Sequence, residues 1–205
     1  MERNRSDENI FVPRRPSGAA VMQGDVTDAL TRAFFEEWAR VGYAALSLER
    51  VAKNAGAGKA ALYRRWPSKV AMASDLLSKV GLTLTELPDR GSLEADLLAF
   101  LHSLRRVLRH RIIRRVVLDL HAETGREPAL KAAILPFQEA RRNRAKTLID
   151  RAVARGEVPA TVDRETAADF MVSALYWRLA VIGGHSDGRH LETIARMAAA
   201  AISVA

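Results

Sequence analysis

Apolar residues recur along this chain at the three-and-four spacing of amphipathic helices, and they never alternate with polar residues over a strand's length. The first such segment, 25–41, carries Val26, Leu30, Phe34, Trp38 and Val41 on one stripe, with Asp25 placed to cap it and Gly42 to end it. Ser47 can cap a short segment, 48–55. Ala55-Gly56-Ala57-Gly58 then turns the chain into another, 59–66, which Pro67 closes. Ser68 opens a fourth helix that reaches about Thr83, and Leu87-Pro88-Asp89-Arg90-Gly91 reads as a linker.

Beyond the linker, Leu93, Leu97, Leu101, Leu104 and Leu108 fall at helical spacing within 92–110. Helices over 112–123 and 128–155 follow, the latter kinked or split at Pro136. Asp163 can start a long apolar helix ending at Gly183-Gly184, and 191–202 makes the last. The fold class expected is therefore all-α, with about nine helices and no internal repeat. Three parts are expected: a flexible tail over 1–24, an N-terminal helical domain over 25–87 that includes the linking fourth helix, and a C-terminal helical bundle over 88–205.

Composition narrows the function. The 205 residues are 48% hydrophobic and 27% charged, as in ordinary globular domains. No apolar run approaches the roughly 18 residues of a membrane span, and the first 24 residues carry charges throughout with no secretory apolar core, so a cytoplasmic address is expected. Cysteine is absent, which removes disulfides, thiol nucleophiles and zinc sites built on sulfur. The formal net charge of +8 favours polyanionic partners, nucleic acid before an anionic membrane surface.

The distribution of that charge decides between them. Two short helices joined by a Gly-containing turn, behind a longer helix, describe a helix-turn-helix whose second short helix can lie in the DNA major groove. Arg50, Lys53, Lys59, Arg64, Arg65 and Lys69 fall within 50–69 with no Asp or Glu among them, whereas Glu36, Glu37, Glu49 and Asp75 flank the stretch. A local positive face of this kind is suited to phosphate.

The same residues carry a family resemblance. Ser47, Val51-Ala52, Ala55-Gly56-Ala57 and Leu62-Tyr63-Arg64-Arg65-Trp66-Pro67-Ser68-Lys69 resemble the helix-turn-helix of tetracycline-repressor-like (TetR/AcrR) regulators. Ala55, Gly56, Leu62, Tyr63 and Lys69 match the family pattern, and Trp66 supplies the aromatic where Phe is usual. Ala57 stands in place of Val, Gly58 in place of a capping Ser, and Ala60 in place of Gly. The resemblance implies a ligand-responsive DNA-binding regulator, not an enzyme and without a cofactor. It implies that Ser47, Tyr63 and Lys69 touch phosphates, and that Lys59, Ala61 and Arg64 face the groove, where Arg or Lys can donate to guanine and an Ala methyl can pack on thymine. Leu62 and Trp66 are expected in the core.

By the same resemblance the C-terminal bundle holds a small hydrophobic or amphipathic effector, with Leu101, Leu104, Val117, His121, Phe137 and Trp177 as candidate lining and ordinary core packing as the competing reading. Met171, Leu175, Leu179 and Ile182, with Ile194, Met197 and Ala201, form stripes that fit a homodimer interface, again against intrachain packing. A two-fold dimer on a palindromic operator in double-stranded DNA, released by its ligand, is the expected mode of repression. The alternatives are a constitutive DNA-binding protein without effector and a small helical enzyme that acquired a basic domain.

Other signals fail. Gly56-Ala57-Gly58-Lys59-Ala60 lacks a phosphate-loop pattern, since Lys53 stands where the first Gly is needed and Ala60 where Ser or Thr is needed. The five histidines show no metal-binding spacing, and no nucleophile elbow occurs. Arg105, Arg106, Arg109, Arg111, Arg114 and Arg115 interleave with apolar positions and read as a solvated face. Arg3, Arg5, Arg14 and Arg15 read as a solubilising tail before a minor-groove arm.

Overall fold

A computed structural model describes residues 18–82 and 88–204. Among these residues the chain forms nine α-helices and one π-helical turn, with no strand, as the hydrophobic periodicity requires. Helix α1 spans Gly18–Val41, starting ahead of the expected Asp25, so the expected tail is already helical from Gly18. Ala19 to Gln23 tolerate the helix, a lone glycine costs only about 1 kcal/mol against alanine, and a Cβ at Gly24 would meet nothing within 4 Å. The tail arginines Arg3, Arg5, Arg14 and Arg15 lie outside the described residues.

Gly42, at φ 78°, ends α1 in a left-handed turn that a side chain would strain. Helices α2 (Leu48–Asn54) and α3 (Lys59–Arg65) follow, joined through Gly56 at φ 64°. Ser47 caps α2, its hydroxyl accepting from the Arg50 N–H. Gly58 at the head of α3 supplies no side-chain cap. Helix α4 (Lys69–Leu82) starts on Ser68, whose hydroxyl accepts from the Ala71 N–H at 3.1 Å.

Helices α5 (Leu93–Arg109), α6 (Arg111–Glu123), α7 (Pro128–Ala154), α8 (Arg164–Tyr176) and α9 (Gly188–Ser203) build the rest. Helix α7 runs through Pro136 without splitting. Helix α8 does not stay α-helical to the glycine pair: Trp177–Val181 form a π turn, closed where the Ile182 N–H donates to the Trp177 carbonyl at 3.0 Å. Asp187 caps α9 ahead of the expected start at Leu191.

Two cores divide the chain, and they do not divide it at the linker. The first packs Leu30, Phe34, Trp38, Tyr43, Val51, Leu62, Trp66, Met72 and Leu76 against Val116 and Leu120 of α6 and Leu130 and Ile134 of α7. Leu62 and Trp66 are buried there, as expected. The second joins α5, the end of α7, α8 and α9 through Leu97, Leu101, Ile149, Met171, Leu175 and Leu191. Helices α6 and α7 thus carry the N-terminal unit on one end and meet the bundle at the other. Arg155 clamps the linker from below, pairing with Asp89 at 2.8 Å, with the buried Asp96 at 3.1 Å, and with Glu157. Glu157 in turn accepts from the Leu93 N–H at 2.6 Å.

Candidate nucleic-acid interface

The positive stretch 50–69 separates into braces and free cations. Arg50 donates to Glu37 at 2.6 Å and to the Ala45 carbonyl at 2.7 Å, fixing α2 on α1. Arg65 donates to Thr27 Oγ1 at 3.2 Å and to the Ala61 carbonyl at 2.9 Å. Lys69, expected on a phosphate, donates to the Tyr43 and Ala44 carbonyls at 2.8 and 3.2 Å, with its ammonium 4.3 Å from the Tyr43 ring centre. Two of its three N–H bonds are therefore committed to the turn between α1 and α2. Lys53, Lys59 and Arg64 are exposed, and no hydrogen bond or ion pair holds them among the described residues. Lys59 and Arg64 lie on α3 with Ala61, which is half-buried.

Glu37 organises this side of the unit. It is buried, and it accepts from both Arg40 and Arg50. Burial pushes its carboxyl upward, but the hydrogen bonds and charges of the two arginines outweigh burial and hold it below the usual range. The other two expected phosphate contacts meet an acid. The Tyr63 hydroxyl donates to Glu49 at 2.8 Å and the Ser47 hydroxyl donates to the same carboxylate at 2.9 Å. These bonds bring the Glu49 carboxyl down to about 2, the Tyr63 hydroxyl contributing most, and Tyr63 itself is pushed above its ordinary value.

Asp119 adds hydrogen bonds to the apolar packing of Val116 and Leu120 that joins the unit to α6. Asp119 Oδ2 accepts from Trp38 Nε1 at 2.6 Å and from the Tyr43 N–H at 2.8 Å. Its other oxygen lies 3.1 Å from where a Cβ on Gly42 would sit, so glycine there also makes room for the acid. Ser74 of α4 adds a second tie, donating to the Ala133 carbonyl of α7 at 2.6 Å.

The candidate effector-lining residues do not share one wall. Leu101 is buried in the second core and Leu104 packs against it, whereas Phe137 packs on the first and Trp177 is exposed on the π turn. Val117 is half-buried and His121 sits with its ring edge-on to Tyr176 of α8, centroids 5.7 Å apart. Arg141 of α7 stands 5.9 Å from the Phe137 ring and forms no ion pair among the described residues. Both Arg141 and His121 keep solvent exposure, and desolvation by their neighbours holds each below its usual range, with the Arg141 charge adding to the effect on His121. Tyr176 and Arg141 escape a reading of the sequence, because Arg141-Arg142 looks like a solvated pair.

Of the candidate interface residues, Met171, Leu175, Leu179 and Ile194 are 0, 0, 4 and 7% exposed, inside the chain's own second core, whereas Ile182 and Met197 are 57 and 67% exposed. Phe170, Trp177 and Val181 are exposed as well. The arginine cluster at the α5–α6 corner likewise divides. Arg105 donates to the Ser186 carbonyl and Arg114 to the Leu179 carbonyl, each at 3.4 Å, while Arg111 and Arg115 line an open groove of about 450 Å³ against Glu36 and Arg40 of α1.

The chain is similar to known proteins over both of its regions. Residues 30–76 match the family described as bacterial regulatory proteins, tetR family, and residues 87–198 match the tetracyclin repressor-like C-terminal domain. The DNA-binding transcriptional repressor TetR of Mycobacteroides abscessus is 31% identical over 157 residues, covering 72% of this chain and 78% of its own. Among solved structures, Salmonella enterica GusR superposes with a TM-score of 0.74 at 22% identity, covering 94% of this chain and 100% of its own. Bacillus subtilis FadR in complex with stearoyl-CoA gives a TM-score of 0.71 at 14% identity, over 86% and 97%. No described helix is long and apolar enough to cross a membrane. With an N-terminal helix-turn-helix built on α2 and α3, a helical C-terminal domain and both family regions matched, the chain belongs to the TetR family of DNA-binding transcriptional regulators.

Proposed function

We propose that the protein is a homodimeric repressor, acting in the cytoplasm, that reads a palindromic operator with α3 and is released by a small amphipathic ligand bound between α6, α7 and α8. Lys59, Ala61 and Arg64 face the major groove in this reading, Ser47 and Tyr63 bind phosphates, and Lys69 braces the α1–α2 turn while lending its charge. The observation that carries the reading is the two-sided role of α6. One side meets α8 and the π turn through His121 and Arg114, and the other holds the DNA-binding unit through Asp119. A ligand that repacks the first side must move the second, and it shifts the equilibrium to the extent that it binds the two arrangements unequally.

The ligand's chemistry follows from its neighbours. Arg141 is an exposed cation on α7, beside the Phe137 ring and without an ion-pair partner among the described residues, which favours a ligand with an apolar body ending in an anionic group. The similar fold of Bacillus subtilis FadR with stearoyl-CoA is consistent with that class. For the dimer, the exposed apolar residues Phe170, Trp177, Ile182 and Met197 supply the face, and the buried Met171, Leu175, Leu179 and Ile194 support it from behind. Two-fold pairing would set two copies of α3 about one DNA turn apart, roughly 34 Å.

The test is a titration of long-chain acyl-CoA, fatty acid and the matching neutral alcohol into the protein–DNA complex. Release by the anions and not by the alcohol is expected, with Arg141→Met weakening release more than tenfold. Release by the alcohol alone, or by none of the three, would remove this ligand class.

A further inference from the structure

Glu49 stands in the first turn of α2, exposed, between two hydroxyls. Tyr63 Oη donates to its Oε1 at 2.8 Å and Ser47 Oγ donates to its Oε2 at 2.9 Å, while the Lys59 charge acts on the same group. A DNA phosphate would present two anionic oxygens to the same cradle of two hydroxyl donors and a neighbouring cation. We propose that Glu49 is an internal stand-in for a DNA phosphate, occupying the Ser47–Tyr63 cradle in the free protein so that a duplex must displace it to bind. This rests on the reading of Ser47 and Tyr63 as phosphate contacts.

The consequence is a graded affinity. Each duplex, whatever its sequence, meets the cost of moving the carboxylate aside, and only one that also satisfies Lys59 and Arg64 recovers it. Non-specific binding is weakened more than it would be by the same surface without Glu49, and the protein is kept from being held on arbitrary DNA. Glu49 remains ionised at any pH where DNA binding is measured, because its neighbours hold its carboxyl near 2. A helix-stabilising role is the competing account, since an acid in the first turn of α2 also faces favourable backbone N–H groups. That account predicts looser α2 and weaker binding on substitution.

Fluorescence anisotropy of the full chain with a labelled scrambled duplex, titrated over salt, separates the two. Glu49→Gln keeps the length of the side chain and removes the charge. It is expected to tighten binding about tenfold at low salt and to steepen the salt dependence by up to about one counterion. In a Tyr63→Phe background the gain from Glu49→Gln is expected to shrink to about threefold or less, because the hydroxyl for which acid and phosphate compete is gone. Unchanged or weaker binding by Glu49→Gln overturns the proposal. So does an equal gain with and without the Tyr63 hydroxyl, which would be long-range charge alone, or a loss confined to one selected sequence, which would make Glu49 a reader of cytosine N4. If the wild-type chain binds no duplex, the underlying DNA reading of Ser47 and Tyr63 fails. If it binds and Glu49→Gln changes nothing, only the role of Glu49 fails.

Discussion

Asp119 supplies the hydrogen bonds that join α6 to the DNA-binding unit beside their shared apolar core, and Asp119→Ala tests that link. The substitution strips the acceptor from Trp38 Nε1 and from the Tyr43 N–H, in residues whose side chains are both buried. Hydrogen bonds to a charged acceptor contribute about 1.5–3 kcal/mol each, and buried donors left without a partner cost their desolvation. Allowing for water reaching part of the gap, the expected loss is about 3 kcal/mol in total. For a chain of this size each kcal/mol moves the melting temperature by about 2–4 °C, so a fall of about 6–12 °C is expected by circular dichroism. Asp119→Asn keeps an oxygen that can accept and should recover about half of the loss. The same variants should also weaken the coupling between ligand and DNA, read as the ratio of DNA affinities with and without effector. If Asp119→Ala melts within about 1 °C of wild type, water or a shifted neighbour replaces the carboxylate, and the account of α6 as the tie is wrong.

Four further outcomes follow from the same geometry. Lys59→Ala and Arg64→Ala should each weaken operator binding by about 1–3 kcal/mol with no change in melting temperature, because neither side chain has a hydrogen-bond or ion-pair partner within the described chain. A drop in stability would show that they are structural. Lys69→Ala should instead lower stability by about 1–3 kcal/mol through the α1–α2 turn, and a variant that melts like wild type while losing only DNA affinity would return Lys69 to the phosphate backbone. Glu37 has a folded-state value below its unfolded one, so its contribution is present above the ordinary 4.5 and is lost as pH falls through the folded value. Stability measured from pH 6 downward should decline below about pH 4.5 less steeply in Glu37→Gln, from a lower starting point, and parallel curves would contradict the assignment. Met197→Glu, on the exposed face of α9, should shift the protein from dimer to monomer in analytical ultracentrifugation, and a dimer of unchanged strength would place the interface elsewhere.

What the sequence reveals here is what is local. Helix periodicity, the caps at Ser47, Ser68 and Asp163 and the turn at Gly56 are settled within a few residues of chain, and each is found in the structure. Which stripe of a helix faces which partner is settled by distant segments. Met171 and Leu175 lie on an apolar stripe that could face a second copy or the chain's own core, and α5 and α9 decide for the core. Gly24, a weak helix former within α1, masks the helix start in the sequence. The π turn at Trp177–Val181 has no pattern of its own, yet it sets Trp177 outward. Among charged residues, long reach defeats composition. Lys69 meets carbonyls 25 and 26 residues away, and Asp119 meets Trp38 across 81 residues, so a count of charges in 50–69 could not separate braces from contacts.

The central claim, specific reading of DNA by α3, is tested most directly by selecting bound duplexes from a random pool with the full chain, then measuring affinity for the winning sequence and a scrambled duplex across a salt series. The account predicts enrichment of a palindrome with half-sites about one turn apart, a preference of at least about a thousandfold over the scrambled duplex, and loss of that preference in Lys59→Ala/Arg64→Ala. No enriched sequence, with both duplexes bound equally and released together as salt rises, would contradict it and leave only a basic surface attracted to phosphate.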